Sequence, residues 1–324
     1  MTVPPLGGER ALRLLATMWR IRLFEERVGV LARADEVHGL IHLSVGQEGV
    51  AAAVCSQLRD DDAVYSGHRA HGHAIAKGAP LERLMAELMG RDGGLCRGLG
   101  GSMHVVDVEH GFMGATGVVG GNIPVALGSA LAARLRGDDS VAVVFFGDGA
   151  VQTGHFNETV NLAALWKLPL ILVCENNGFA EFTPRSAHTN VERVSDVVAP
   201  YEMERDTVDG NDVVAVWDAF GRYLASARGG RGPFLLECLT HRLRGHYEGD
   251  PGTYREALAS ADWEQKDPIL RLQRHGIAQG WFAEDALPAI ESEAAEAVEQ
   301  AVRFGRESPF PPVDLIEDMV YADG

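Results

Sequence analysis

No apolar run in this sequence comes near the roughly 18 residues that a membrane-spanning helix needs, and Lys and Arg never gather into a block. The first absence argues against a membrane protein. The second, with a formal net charge of −17, argues against nucleic acid or an anionic membrane as the main partner, since both are held by clustered cations. The opening MTVPPLGGERALRLL lacks the basic start and apolar core of a secretory signal, so the chain is expected to be cytoplasmic. Cysteine is scarce: Cys55, Cys96, Cys174 and Cys238 lie far apart with no CxxC or metal-type spacing, which points to reduced, buried thiols of an intracellular protein. Internal repeats, low-complexity tracts and linker-like stretches are missing as well. What remains is ample apolar material, 46% of 324 residues, enough for a large core. The expected organisation is a single domain over 1–324, with a helical N-terminal arm over about 1–35 and a helical C-terminal tail over about 260–324.

Helical spacing of Leu14, Met18, Ile21, Val28 and Leu31 predicts an opening helix from about Glu9 to Arg33. Beyond it, short apolar runs alternate with longer helical stretches: strand Ala63–Tyr65, a helix to about Gly90, helix Ile123–Arg136, strand Val141–Phe146, helix Phe156–Trp166, strand Leu170–Cys174, helix Val213–Arg228 and strand Phe234–Leu239. This alternation predicts an α/β fold, a doubly wound and mostly parallel sheet with helices on both faces. Glycine-rich loops are expected over 93–101 and 111–121. In the tail, Asp267-Pro268 reads as a cap and first helical position, Gly276 as a stop, and Glu284–Phe304 as a long Ala/Glu-rich helix.

Two of the strands break on abrupt polar clusters, Gly147-Asp148-Gly149 and Glu175-Asn176-Asn177-Gly178. In a parallel sheet, ligands bind beyond the carboxyl ends of the strands, where glycines admit phosphates to backbone N–H groups. Gly147 and Gly149 suit that task. Asp148, a carboxylate where an anion would sit, makes sense only if a divalent cation intervenes, and Asn177 offers it a neutral oxygen one crossover later. Either cluster alone is more often a tight turn or a helix cap. Both at strand ends reverse that preference.

Gly147-Asp148-Gly149, 26 residues, then Asn176-Asn177 is similar to the thiamine-diphosphate and magnesium fingerprint of thiamine enzymes. The blocks HLSVGQE (42–48), HRAHGHAIAKG (68–78), GRDGGLCRGLGGSMH (90–104), GATGVVGGNIPVALGSALA (114–132), NLAALWKLPLILVCENNGFAE (161–181) and HRLRGHYEGDPGTYR (241–255) narrow it further. Across nearly its whole length the chain resembles the α subunit of the first component of acetoin and 2-oxoacid dehydrogenase complexes. The resemblance implies a transketolase-like diphosphate-binding fold and the cofactors thiamine diphosphate and Mg2+. It assigns the metal to Asp148, Asn177 and the Phe179 carbonyl. Gly149, Ala150, Arg69 and Arg242 are implied to meet the diphosphate, and Val119 and Gly120 to line the aminopyrimidine pocket. His246 is implied to lie over the cofactor near its reacting centre, and His71 to stand at the active-site entrance as a second catalytic histidine. His104 receives no role, and Glu48 in VGQE is expected to be structural.

Departures from the family pattern are His68 for a frequent Tyr, Thr116 where GANG is usual, Phe179 for a common Tyr, and Tyr247 for a serine that is phosphorylated in mitochondrial pyruvate enzymes. The glutamate that activates the cofactor at N1′ belongs, in this family, to a separate β subunit. The roughly eighty residues after Gly245 are not expected to hold a second pyrimidine-binding domain, which implies a β-subunit partner, an α2β2 assembly and a lipoyl acyltransferase component. RGHYEGDPGTYR and ENNGFAE resemble acetoin-type chains, so acetoin is the expected substrate. Pyruvate or a branched-chain 2-oxoacid is the alternative, a non-catalytic regulatory homologue a further one. A nicotinamide-binding protein is disfavoured because Gly98-Leu99-Gly100-Gly101 lacks GxGxxG spacing.

Overall fold

The computed structural model describes residues 5–254 and 260–315, so that Arg255 of the last motif and residues 316–324 of the expected tail lie outside the described residues. The chain opens on helix α1 (Gly8–Arg33), which buries Ala11, Leu14, Leu15, Met18, Ile21, Phe24, Val28 and Leu31. It continues through α2 (Glu48–Cys55), β1 (Ala63–Ser66), α3 (His71–Lys77), α4 (Leu81–Leu88), β2 (Phe112–Ala115), α5 (Asn122–Arg136) and β3 (Ala142–Gly147). Next come α6 (Gly154–Trp166), β4 (Leu170–Asn176), a small hairpin of β5 (Phe179–Ala180) and β6 (Thr183–Pro184), and the single turn α7 (Arg185–His188). β7 (Glu204–Asp209), α8 (Val213–Arg228) and β8 (Phe234–Leu239) complete the sheet, and α9 (Ser260–Lys266), α10 (Pro268–Ala278) and α11 (Leu287–Glu307) follow.

The six-stranded sheet has the order β2-β1-β3-β4-β8-β7 and every pairing in it is parallel. β3 and β4 are buried almost throughout, which is why they read as unbroken apolar runs rather than alternating ones. One core joins α1, α2 and α8 to one face of the sheet, and a second joins α5 and α6 to the other, giving the doubly wound α/β arrangement. Strand order reverses between β1 and β3, one neighbour leading to β2 and the other to β4. A crevice opens at such a switch point, beyond the strand ends.

Several expectations need correcting. The helix expected to run to Gly90 is two helices, parted at Gly78, which sits at φ +117, and Pro80. The loop expected over 111–121 contains β2. Gly276 does not stop its helix: α10 runs to Ala278, and a Cβ on Gly276 would lie 2.1 Å from the Phe282 ring, so the glycine serves close packing. Asp267 does cap that helix, accepting from the Ile269 and Leu270 N–H groups. Cys55, Cys174 and Cys238 are buried and all four thiols are free, but Cys96 is only half-buried. Among the described residues no helix is long and apolar enough to cross a membrane.

Candidate active site

A cavity of about 480 Å3 occupies the switch-point crevice. Its walls are the carboxyl ends of β1, β3 and β4 (Ser66, Phe145 to Gly147, Glu175), the glycine-rich loop after β2 and the segment after β8. Arg69, Val119, Gly120, Gly149, Ala150, Asn177, Phe179, Arg242 and His246, nine residues singled out in the sequence, line it together. A larger open groove of about 1340 Å3 along β7 and α8 has a surface of mixed charge and none of these residues.

Backbone geometry explains the glycines. A Cβ on Gly149 would lie 2.8 Å from the Ala180 side chain, and one on Gly120, at φ +77, would lie 2.6 Å from Thr153 Oγ1. A Cβ on Gly147 would meet nothing within 4 Å, so this residue leaves free room in the cavity wall. Between the two lining glycines lies Asp148, 1% exposed. Neither of its carboxylate oxygens has a hydrogen-bond partner, and His188 Nε2, at 3.5 Å from Oδ2, is an electrostatic neighbour at the outer limit of hydrogen bonding. Burial consequently pushes the Asp148 carboxyl up from its ordinary value. A buried carboxylate with two idle oxygens is the donor chemistry of a hard cation, and Asn177 and the Phe179 carbonyl stand in the same wall.

Two guanidinium groups supply positive charge. Arg69 is buried and bonds the carbonyls of Leu43 and His246, while Arg242 donates to His246 Nδ1 at 3.0 Å, the Tyr254 hydroxyl at 2.7 Å and the Glu181 carbonyl at 3.3 Å. Burial, then the like charge of Arg242, pulls Arg69 well below the usual guanidinium range. Such a pair is poised for an anion.

His42, His68 and His246 meet edge to face in the cavity wall, with ring centroids 4.5 to 5.3 Å apart. Burial first and Arg69 second hold His42 down to about 3, His68 to about 2 and His246 to about 4, so all three are neutral at pH 7. Their hydrogen bonds fix two opposite tautomers. A guanidinium can only donate, so Arg242 leaves the His246 proton on Nε2. A carbonyl can only accept, so Leu40 keeps the His42 proton on Nδ1 and frees its Nε2 lone pair. A nitrogen of each ring lies within 4.8 Å of the others, yet the two flanking arginines oppose a cation there.

His71, expected at the entrance, is instead fully buried. Its Nδ1 meets Glu25 Oε2 at 2.9 Å and its Nε2 meets Ser102 Oγ at 2.8 Å, so it acts behind the wall and holds the loop that carries Met103 to the cavity. That loop also grips Glu87, whose carboxylate accepts from the N–H groups of Cys96, Gly98, Gly100 and Gly101 at 2.7 to 3.0 Å. Glu48 is structural as expected, its carboxylate spanning Arg22 and the Gly46 N–H.

Sequence reasoning missed His42, Gln47, His73 and Glu175 in the cavity wall. His42 and Gln47 belong to the HLSVGQE block and Glu175 precedes the asparagine pair, which are signals that a site was near without saying what each side chain faces. His73 stacks on Phe145 at 3.9 Å, bonds Ser66 Oγ at 2.8 Å and approaches Glu175 at 3.4 Å.

Comparison with known proteins agrees with this geometry. The family model described as "Dehydrogenase E1 component" matches residues 16–314. The α subunit of acetoin:2,6-dichlorophenolindophenol oxidoreductase from Bacillus subtilis (strain 168) is 43% identical over 307 residues, covering 94% of this chain and 92% of the relative. The protein of the same name from Cupriavidus necator is 42% identical over 317 residues, covering 97% and 95%. The pyruvate dehydrogenase E1 component subunit α of Rhizobium meliloti (strain 1021) is 39% identical over 325 residues, covering 98% and 92%. On the extent of these matches, the chain belongs to the dehydrogenase E1 component family.

Proposed function

We propose that this chain is the α subunit of a thiamine-diphosphate-dependent dehydrogenase that cleaves acetoin to acetaldehyde and a two-carbon unit, which is oxidised and passed to lipoamide or another acceptor. The observation that carries the reading is Asp148, buried with both oxygens idle between two glycines of a cavity that also bears Arg69 and Arg242. A carboxylate and two arginines serve one ligand only if that ligand is a cation joined to a polyanion. In this reading Asp148, Asn177 and the Phe179 carbonyl hold Mg2+, and Arg69, Arg242 and the backbone of Gly149 and Ala150 hold the diphosphate. Val119 and Gly120 line the aminopyrimidine pocket. When bound, thiamine diphosphate supplies an acidic carbon that attacks a carbonyl and then acts as an electron sink.

The chain's own residues supply proton traffic. His246 offers an Nε2–H to the substrate carbonyl oxygen as negative charge gathers there, and His42 offers an unprotonated Nε2 in the same space. Releasing acetaldehyde from acetoin requires that the carbinol hydroxyl lose its proton as the carbon–carbon bond breaks, and His42 Nε2 is the base in reach. Neutralising Arg69 with diphosphate removes one cause of the lowered His42 pKa and makes it a better base. Pyruvate loses carbon dioxide and has no such proton. This supports acetoin, as do two relatives named for it. Pyruvate or a branched-chain 2-oxoacid is the second reading, favoured by the Rhizobium relative. A regulatory homologue without activity would have no need of the costly Asp148.

The relatives are named as α subunits, which supports a β partner for this chain. In our reading that partner closes the cofactor cleft in an α2β2 enzyme, supplies the N1′ glutamate and hands product to a lipoyl acyltransferase. Purified alone, the chain should bind thiamine diphosphate weakly and cleave no carbonyl compound, and mixing with its β chain should restore both properties together. Turnover by the isolated chain would refute the two-subunit reading.

A further inference from the structure

His188 closes α7, the single turn that follows the β5–β6 hairpin. Its side chain is 13% exposed, and both ring nitrogens are buried without a hydrogen-bond partner. An imidazole carries at least one N–H in any protonation state, so a buried donor here has nothing better than one long contact. That contact is to Asp148 Oδ2, 3.5 Å from Nε2. The two buried groups meet only at the outer limit of hydrogen bonding, which leaves the second imidazole nitrogen and the second carboxylate oxygen with no partner at all, both beside one site.

The segment is built rather than loose. Arg185 N–H bonds the Gly178 carbonyl at 2.8 Å, Arg185 Nη1 bonds the Val191 carbonyl at 2.7 Å, and the Thr189 N–H closes the turn on the Arg185 carbonyl at 3.0 Å. Glu237, fully buried, anchors the far end by accepting from the Val194 and Ser195 N–H groups and from Asn176 Nδ2. One carboxylate thereby ties this segment to the end of β4, next to Asn177. The Arg185 charge also reaches Asp148, so the segment brings positive potential to an anion site.

We infer that His188 is a further binding residue of the metal–diphosphate centre, donating its ring N–H to an oxygen of the bound group, either on the phosphate or on water held by the metal. Nothing in the sequence fingerprint signals it, because it lies 40 residues beyond Asp148 and outside both polar clusters. The inference rests on the functional reading above. Metal-site partners of this kind, lying one shell beyond the ligands, typically change metal affinity by about 10- to 100-fold.

The test is Mn2+ binding to the assembled enzyme, followed by the paramagnetic resonance signal of free Mn2+, with and without thiamine diphosphate. His188→Phe keeps a ring without an N–H and should weaken Mn2+ binding by about 10- to 100-fold, while His188→Gln keeps an N–H without the ring and should recover part of the loss. If the Phe variant does not fold, His188→Ala is read on the same scale. A loss confined to the arm with thiamine diphosphate identifies a phosphate oxygen as the acceptor, and a loss in both arms identifies metal-bound water. Wild-type affinity in the Phe variant, alongside loss in Asp148→Asn, would overturn this inference and leave the functional reading intact. Absence of retained Mn2+ in the wild-type enzyme would refute that reading and this inference with it.

Discussion

Replacing Asp148 with Asn should stabilise the ligand-free protein while abolishing its response to ligand. The carboxylate is 1% exposed, lies 3.5 Å from His188 Nε2 at the outer limit of hydrogen bonding, and has the Arg185 charge near it. An unsatisfied buried polar group costs about 1 to 3 kcal/mol, and a charged one more. Asparagine keeps the shape and removes the charge, so we expect a gain of roughly 1 to 3 kcal/mol, or about 2 to 6 °C in melting temperature at about 2 °C per kcal/mol for a long chain. Magnesium and thiamine diphosphate at about one hundred times the dissociation constant should add about 2.7 kcal/mol to the wild type and close to nothing to the variant, so the gap in melting temperature should close, and reverse wherever the Asn gain is below that figure. The pH dependence has a fixed sign. Because burial raises the folded-state pKa above its ordinary 3.8, the penalty is absent below 3.8 and grows as pH rises through the folded-state pKa, so the advantage of Asn should shrink as pH falls. Scanning calorimetry of both assembled proteins, with and without ligand at pH 7 and 5, reads all of this. A ligand-free variant less stable than wild type, or one with the full ligand shift, would refute the reasoning.

His246→Ala should lower turnover by roughly two to four orders of magnitude while retaining most cofactor affinity, measured as kcat beside a calorimetric titration. Loss of the cofactor instead would assign His246 to the diphosphate. His68, whose pKa is held to about 2 by burial and Arg69, is neutral when folded and gains a proton on unfolding below about 6.5, so it costs stability as pH drops through that value. His68→Tyr should flatten the expected fall in stability between pH 7 and 5.5, read by urea titration at each pH, and an unchanged slope would assign that fall to other groups.

Helices buried on one side and strands buried throughout were legible in the sequence. Val213–Arg228 and Phe234–Leu239 were placed to the residue because a helical stripe and an unbroken apolar run leave little choice. β7 was not legible: at the sheet edge, its sequence ERDTVD buries no residue fully and carries no apolar signature. α2 was missed for the opposite reason, since a helix buried on all sides, with Ala-rich EGVAAAVC, shows no periodicity. At the site, local motifs located the cavity-lining backbone and arginines. They misjudged His71, because spacing along a chain does not say which side of a wall a ring faces, and they could not reveal His188, which reaches Asp148 only through the folded hairpin and turn.

Dye reduction by the co-purified α and β chains, with acetoin and pyruvate supplied separately and thiamine diphosphate and magnesium either present or removed, tests the central claim most directly. Our account predicts acetoin-dependent reduction of 2,6-dichlorophenolindophenol that exceeds the pyruvate rate, disappears on cofactor removal and returns on its addition. A pyruvate rate equal to or above the acetoin rate would contradict the substrate assignment, and reduction that persists without thiamine diphosphate would contradict the site itself.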